Sequence, residues 1–119
     1  MLTKNFKSEE FACRCGGGCD AGPIDMRLVR KLQEVRDLLG EPIKINSGLR
    51  CSAHNEAIKG NPHSAHLYAF AGDIAIPSSS YRFNILPLLI SRFTRIGIGP
   101  DFIHVDVDDT KPQDIIWTY

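Results

Sequence analysis

The sequence predicts an α+β fold, a single domain in which helices pack on a mainly antiparallel sheet. Apolar residues recur at helical spacing in the first third of the chain, whereas short segments of the last third alternate between apolar and polar residues. A chain of 119 residues can form one hydrophobic core but not two. We therefore expect one domain over residues 1–119.

The first predicted element is a helix that follows an irregular N-terminal segment. Residues 1–24 are rich in Gly and Cys and are expected to pack on the domain without regular structure. Asp25 is a suitable N-cap, and Gly40 stands where a helix would end. The apolar positions that predict the buried face of this helix are Leu28, Val29, Leu32, Val35, Leu38 and Leu39.

A short strand and a short helix are predicted next. Ile43 and Ile45 alternate with polar residues in a strand that ends at Ser47-Gly48. Ser52 is expected to cap a helix that runs through Ala57 and stops at the KGNP turn of residues 59–62.

The second half of the chain is predicted to be mostly strand. Residues 67–76 read as a strand, and the serines at 78–80 open a helix over 80–93 that Pro87 is expected to bend or break. The remaining predicted strands are RIGIG at 95–99, FIHVDV at 102–107 and DIIWTY at 114–119.

Charge and hydropathy exclude several classes of function. Fourteen Lys and Arg residues balance fourteen Asp and Glu residues, so no basic surplus is available to bind nucleic acid. No apolar run reaches the roughly 20 residues of a membrane span, and the N-terminus lacks the apolar region of a secretory signal. We expect a monomer that is either cytoplasmic until it is released or a secreted protein without its signal.

Four cysteines, Cys13, Cys15, Cys19 and Cys51, allow two interpretations. They form one or two disulfides that fix the N-terminal segment to the domain, or they hold a structural zinc ion. The C-x-C-x3-C spacing lacks the usual C-x2-C pair, which makes a second, structural metal the less favoured interpretation. Disulfides would require an oxidising compartment, which the missing signal does not support.

Polar side chains with lone pairs interrupt two otherwise aliphatic strands. His104 and Asp106 share one face of FIHVDV, opposite Ile103 and Val105. Asp73 lies in the same way opposite Ile74, in a run that follows His66.

Two imidazoles and one carboxylate suit a catalytic zinc ion, because zinc accepts nitrogen and oxygen ligands and keeps a fourth position for water. The spacing of His66, Asp73 and His104 is compatible with such a site in a cleft on the sheet, but taken alone it favours ordinary polar residues at strand edges.

Three motifs in order extend this interpretation. SGLR at 47–50, S-x-H-x4-A-x-D at 64–73 and D-x-x-H-x-D at 101–106 resemble the zinc D-Ala-D-Ala carboxypeptidase family, which includes bacterial DD-carboxypeptidases, DD-dipeptidases and L-Ala-D-Glu endopeptidases of phage lysins. The resemblance runs from about Phe11 to Tyr119.

The resemblance implies one catalytic Zn²⁺ held by His66, Asp73 and His104. It further implies that Asp101 is the general acid/base and that Arg50 binds the substrate carboxylate or the developing oxyanion.

The sequence also departs from the family pattern at three positions. Ala69 stands where the family usually has Gly, Leu49 where an aromatic residue is common, and Asp101 where many members have Glu. If the family's Gly adopts a backbone angle that other residues disfavour, Ala69 lowers the stability of the protein by about 1 kcal/mol.

Four further residues are candidates for substrate contact or support of the ligands. Ser64 could orient His66 or touch substrate, Asp106 could hydrogen-bond a ligand imidazole, and His63 and Trp117 could line the site.

The predicted function is a zinc metallopeptidase that hydrolyses peptidoglycan stem peptides, foremost as a D-Ala-D-Ala carboxypeptidase. The alternatives are an L-Ala-D-Glu endopeptidase of a phage lysin, a non-catalytic cell-wall-binding or phage structural module, and a structural zinc protein with the metal on the cysteines.

Overall fold

A computed structural model describes residues 1–15, 23–61 and 63–119 and confirms the predicted α+β class. The helices of this part are α1 (Met26–Leu39), α2 (Ser52–Ala57) and α3 (Ser79–Arg92), and the strands are β1 (Ile45–Ser47), β2 (Ala71–Ala75), β3 (Arg95–Ile98), β4 (Phe102–Asp106) and β5 (Ile115–Thr118). Two short 3₁₀ helices, Ser8–Phe11 and Ala65–Tyr68, complete the regular structure there.

The five strands form one sheet in the order β1-β2-β4-β3-β5. The pairs β1–β2, β2–β4 and β3–β4 are antiparallel, and only the pairing of β5 with β3 is parallel. The sheet is therefore mainly antiparallel, as the sequence predicts.

The hydrophobic core lies on one face of this sheet, against α1 and α3. Its members include Leu28, Val29, Leu32 and Val35 of α1, Ile85 and Leu89 of α3, and Ile74, Ile96, Ile103 and Val105 of the sheet. Phe6 and Phe11 of the N-terminal segment are fully buried in the same core. The opposite sheet face is left for the polar residues of β2 and β4.

Local signals set the ends of α1. The Asp25 side chain accepts a hydrogen bond from the Arg27 amide, and Gly40 ends the helix in the left-handed conformation that glycine adopts without strain. The buried face contains four of the six predicted apolar positions. Leu38 is 59% exposed, because the helix turns that position away from the sheet.

Helix α3 continues through Pro87 and is not broken there. A proline at this position removes the bond that its N–H would give to the carbonyl of Phe83. Phe83 is 78% exposed, so water can reach that part of the helix. None of the helices in the described ranges combines the length and apolarity needed to cross a membrane.

Several boundary predictions were wrong. The first strand begins at Ile45, so Ile43 lies before it. The strand predicted over 67–76 is confined to Ala71–Ala75, because Ser64 starts a 3₁₀ helix and Ala69 ends it in a left-handed turn. The N-cap of α2 is Cys51, whose sulfur accepts from the His54 amide, and the predicted cap Ser52 is the first helical residue.

Candidate metal centre

The register of the sheet aligns the site residues in one row on the face opposite the core. Asp73 of β2 pairs with His104 of β4. On the other side of β4, His104 pairs with Gly97 of β3, and Gly97 pairs with Trp117 of β5. A Cβ atom at Gly97 would lie 2.6 Å from Trp117 Nε1, so only glycine leaves room for the indole. The ring centroids of Trp117 and His104 are 5.4 Å apart.

His66 approaches this row from the 3₁₀ helix that precedes β2. Its backbone N–H donates to Ser64 Oγ at 3.2 Å, and its carbonyl accepts from the Arg50 amide at 3.1 Å. These bonds fix the buried imidazole, which is 2% exposed, above the start of β2.

The structure brings His66, Asp73 and His104 together. Asp73 Oδ1 lies 3.2 Å from His66 Nε2 and 3.0 Å from His104 Nδ1. One ligand atom from each of the three residues lies within 4.8 Å of the other two. The three side chains thus form a group that could hold a metal ion.

The outer nitrogens of both imidazoles are occupied by acceptors. His66 Nδ1 lies 2.6 Å from the Gly48 carbonyl oxygen, and His104 Nε2 lies 2.7 Å from Asp106 Oδ2. A carbonyl and a carboxylate can only accept, so each of these nitrogens must carry the hydrogen.

The inner nitrogens of the neutral rings therefore present lone pairs to the Asp73 carboxylate, which is itself an acceptor. Such a convergence of acceptors is unfavourable unless both rings are protonated or a cation lies among them. Hydrogen bonds from the far side of ligand imidazoles to a carboxylate or carbonyl are the usual support of histidine ligands in metal sites.

The spacing of the donor atoms also fits zinc. Ligand atoms on a tetrahedral ion with bonds of about 2.0–2.2 Å lie roughly 3.3–3.6 Å apart. The distances of 3.0 and 3.2 Å from Asp73 Oδ1 to the two imidazole nitrogens need to grow by only a few tenths of an ångström. Two nitrogens and one oxygen leave a tetrahedral ion one position for water or substrate.

The sequence model of the peptidase M15 family matches residues 4–106, most of the chain and all three members of this group. The chain belongs to the peptidase M15 family. This is the zinc D-Ala-D-Ala carboxypeptidase family, so the resemblance drawn from the three motifs is confirmed. No curated protein matches the sequence. Membership indicates a zinc metallopeptidase with a peptide substrate.

The electrostatics of the centre favour a charged Asp73. Burial raises the pKa of this carboxyl group, but the adjacent imidazoles of His104 and His66, wherever they carry a proton towards it, outweigh burial and bring the pKa well below its ordinary value. Burial lowers the pKa of His104, yet the carboxylates of Asp106 and Asp73 on its two sides raise it overall. The carboxylates of Asp73 and Asp106 therefore favour the binding of a cation at this site.

Arg50 of the SGLR motif lies beside the metal-binding group. Its Nη2 is 3.6 Å from Asp73 Oδ2, and its Nη1 donates to Asn55 Oδ1 at 3.1 Å. Asn55 is buried and donates to the Asn61 carbonyl, which fixes the guanidinium against the turn after α2. Burial lowers the pKa of Arg50, while Asp73 acts in the opposite direction.

A cavity of about 300 Å³ opens over the metal-binding group. It is lined by Arg50, Ile58, Lys59, Gly60, Asn61, Ser64, His66, Asp73, Phe102, His104 and Tyr119. Two cationic side chains, Arg50 and Lys59, therefore border the same space as the three candidate ligands. This lining suits a ligand with a negative charge.

Asp101 is not among the described side chains that line this cavity. It is exposed in the bend before β4, where its carbonyl accepts from the Ile76 amide at 2.9 Å. The role of Asp101 as acid/base stays a prediction from the motif.

The other predicted contacts divide between two places. Ser64 lines the cavity, Trp117 packs beside His104, and Asp106 holds the outer nitrogen of His104. His63 instead borders a neighbouring groove with Tyr68, Phe70, Thr110 and Lys111.

Sequence reasoning missed Arg95. This buried residue donates from Nε to Asp106 Oδ1 at 2.8 Å, and its guanidinium lies 5.0 Å from the Trp117 ring centroid. It therefore supports both neighbours of His104. In the sequence it is one charged residue at the start of RIGIG, and nothing local distinguishes it from a residue at an exposed strand end.

Three cysteines form a second group of ligand-type side chains. The sulfur atoms of Cys13, Cys15 and Cys51 lie within 4.8 Å of one another. Cys19, the fourth predicted ligand or disulfide partner, lies outside the described residues.

Proposed function

We propose that this M15 family member is a zinc peptidase that hydrolyses peptidoglycan stem peptides, and that it acts as a D-Ala-D-Ala carboxypeptidase. The observation that carries the proposal is the convergence of His66 Nε2, Asp73 Oδ1 and His104 Nδ1 beside a half-buried Arg50. Its site of action would then be the cell wall.

In the proposed assignment His66, Asp73 and His104 hold the zinc ion. The ion, when bound, lowers the pKa of a water molecule to about 7 and polarises the scissile carbonyl. Gly48 and Asp106 keep the two imidazoles in the tautomer that ligation requires. Trp117 packs beside the His104 ring, with 5.4 Å between the ring centroids.

Arg50 is proposed to bind the negative charge of the substrate or of the developing oxyanion. Its guanidinium is held by Asn55 and Ser47, so it does not have to be ordered when substrate binds. A planar guanidinium can pair with a carboxylate through two parallel hydrogen bonds.

The charge of the cavity suits a substrate with a carboxylate one residue beyond the scissile bond. A peptide that ends in D-Ala carries a terminal carboxylate one residue beyond the scissile bond. Arg50 and Lys59 lie on the border of the cavity that holds the candidate ligands and can neutralise that carboxylate.

Digestion of purified muropeptides tests the proposal. The zinc-loaded protein is incubated with pentapeptide and tetrapeptide stems, with and without a chelator, and the products are weighed by mass spectrometry. Loss of one D-Ala only without chelator is expected. A cut between L-Ala and D-Glu would identify the endopeptidase, and intact stems with zinc bound would identify a binding module.

Two variants test the residue assignments. Asp101→Ala is expected to keep its zinc and lose hydrolysis, because an acid/base is removed while the ligands remain. Asp109→Ala, which removes an exposed carboxylate outside the cavity lining, is the matched control. Full turnover by Asp101→Ala would show that another group moves the proton. His104→Ala is expected to lose zinc, and unchanged metal content would remove His104 from the ligand set.

A further inference from the structure

We infer that Cys13, Cys15 and Cys51 form a second metal site, structural and specific for a thiolate-binding ion such as zinc. Sequence spacing favoured disulfides over this site, because it lacks the C-x2-C pair. The tertiary structure supplies the missing proximity by bringing Cys51 to the C-x-C pair.

The distances fit a shared ion. On a tetrahedral zinc ion with Zn–S bonds of about 2.3 Å, two sulfurs lie roughly 3.8 Å apart. The sulfurs of Cys13, Cys15 and Cys51 are all within 4.8 Å of one another. In the described part of the chain neither Cys13 nor Cys51 forms a disulfide. Three thiolates hold a zinc ion and leave one position for a further ligand.

Backbone amides point at two of the three sulfurs. The N–H of Cys51 points at Cys13 Sγ at 3.3 Å, and the N–H of His54 points at Cys51 Sγ at 3.4 Å. The thiols give up their protons when the ion binds, and the fixed amides then offset part of the negative charge.

The site would fasten the N-terminal segment to the chain that builds the active centre. Leu49 donates its backbone N–H to the Phe11 carbonyl at 2.8 Å, and Arg14 Nε donates to the Asn46 carbonyl at 2.8 Å. A Cβ atom at Gly48 would lie 2.8 Å from the backbone of Phe11, so the two segments touch.

The segment of residues 46–51, which the N-terminal segment contacts, carries two groups of the catalytic centre. The Gly48 carbonyl holds His66 Nδ1, and Arg50, directly before Cys51, lies beside Asp73. An ion on Cys51 therefore fixes one end of the segment that positions His66 and Arg50.

The test separates the two metals by removing the catalytic one. His66→Ala/His104→Ala is purified under reducing conditions, its fold is checked by circular dichroism, and its zinc is measured by elemental analysis. About one equivalent of zinc per chain is expected to remain. A folded double variant without zinc would overturn the inference, whatever the muropeptide assay shows.

Cobalt identifies the ligands. Co²⁺ in the double variant is expected to show the intense near-ultraviolet charge-transfer band of thiolate ligation, which imidazole and carboxylate ligands do not give. A cobalt spectrum without that band would contradict the site.

A ligand exchange guards against a variant that fails to fold. Adding Cys13→His to the double variant is expected to keep the metal and to weaken the thiolate band by about a third, because one of three sulfurs becomes an imidazole nitrogen. An unchanged band would exclude Cys13 as a ligand. Titration of the unfolded protein with chelator and without reductant should find all four thiols of the sequence. A smaller number would show a disulfide and overturn the site.

Discussion

Asp106→Asn isolates the contribution of the carboxylate behind His104. Asp106 is 1% exposed, and its two oxygens are bound by His104 Nε2 at 2.7 Å, by Arg95 Nε at 2.8 Å and by the Asp108 amide at 3.1 Å. The last two donors share Oδ1. In the asparagine variant the amide oxygen therefore stays with Arg95 and Asp108, and the NH₂ group faces His104.

This exchange reverses the tautomer of His104. An NH₂ group can only donate, so Nε2 becomes the acceptor and the ring proton moves to Nδ1, the nitrogen that faces Asp73. Ligation then requires the less favourable tautomer. Loss of such a supporting carboxylate lowers metal affinity by about 10- to 100-fold, or roughly 1.4 to 2.7 kcal/mol.

Competition with a chromophoric chelator measures this loss. Asp108→Asn is the matched control, since Asp108 is equally buried two residues away but binds Thr110 and Lys111 instead of a ligand. The control is expected to lose stability but to keep the zinc affinity of the wild type. Equal affinities of Asp106→Asn and the wild type for zinc would refute the supporting role of Asp106.

Three further predictions concern stability. Ala69 has a φ of 66°. Ala69→Gly is expected to raise the free energy of unfolding, measured by urea titration, by about 1 kcal/mol, because glycine adopts this conformation without strain. A loss of stability would show that the contacts of the Ala69 methyl group outweigh the backbone strain. Gly97→Ala should displace Trp117 and lower the free energy of unfolding by about 1–3 kcal/mol. The displacement should shift the fluorescence of the single tryptophan, and an unshifted spectrum would contradict the close contact. Asp25→Ala removes the N-cap of α1 and should lower the free energy of unfolding by about 1 kcal/mol near neutral pH. The hydrogen bond from Arg27 lowers the pKa of Asp25 from 3.8, so this difference should persist above about pH 4 and vanish as the pH falls further; a difference that persists at low pH would rule out the charge as its cause.

Local sequence patterns predicted those elements whose ends are set by residues nearby in the sequence. Asp25 and Gly40 set the ends of α1, and the alternation in FIHVDV predicted that Ile103 enters the core. The prediction of a strand over 67–76 was wrong for residues 67–70, because a left-handed Ala69 cannot be distinguished by composition from an ordinary strand residue.

The sequence by itself determined the fold class, the family and the residue types that can hold zinc. The tertiary structure decided which groups stand behind those residues: Gly48, Asp106 and Arg95 act through contacts whose partners the local pattern does not specify. It also placed Asp101 outside the cavity lining and brought Cys51 to Cys13 across 38 positions of the chain. Periodicity and capping act over one or two turns, whereas the register of a sheet and the path of a loop are set by the packing of the whole core.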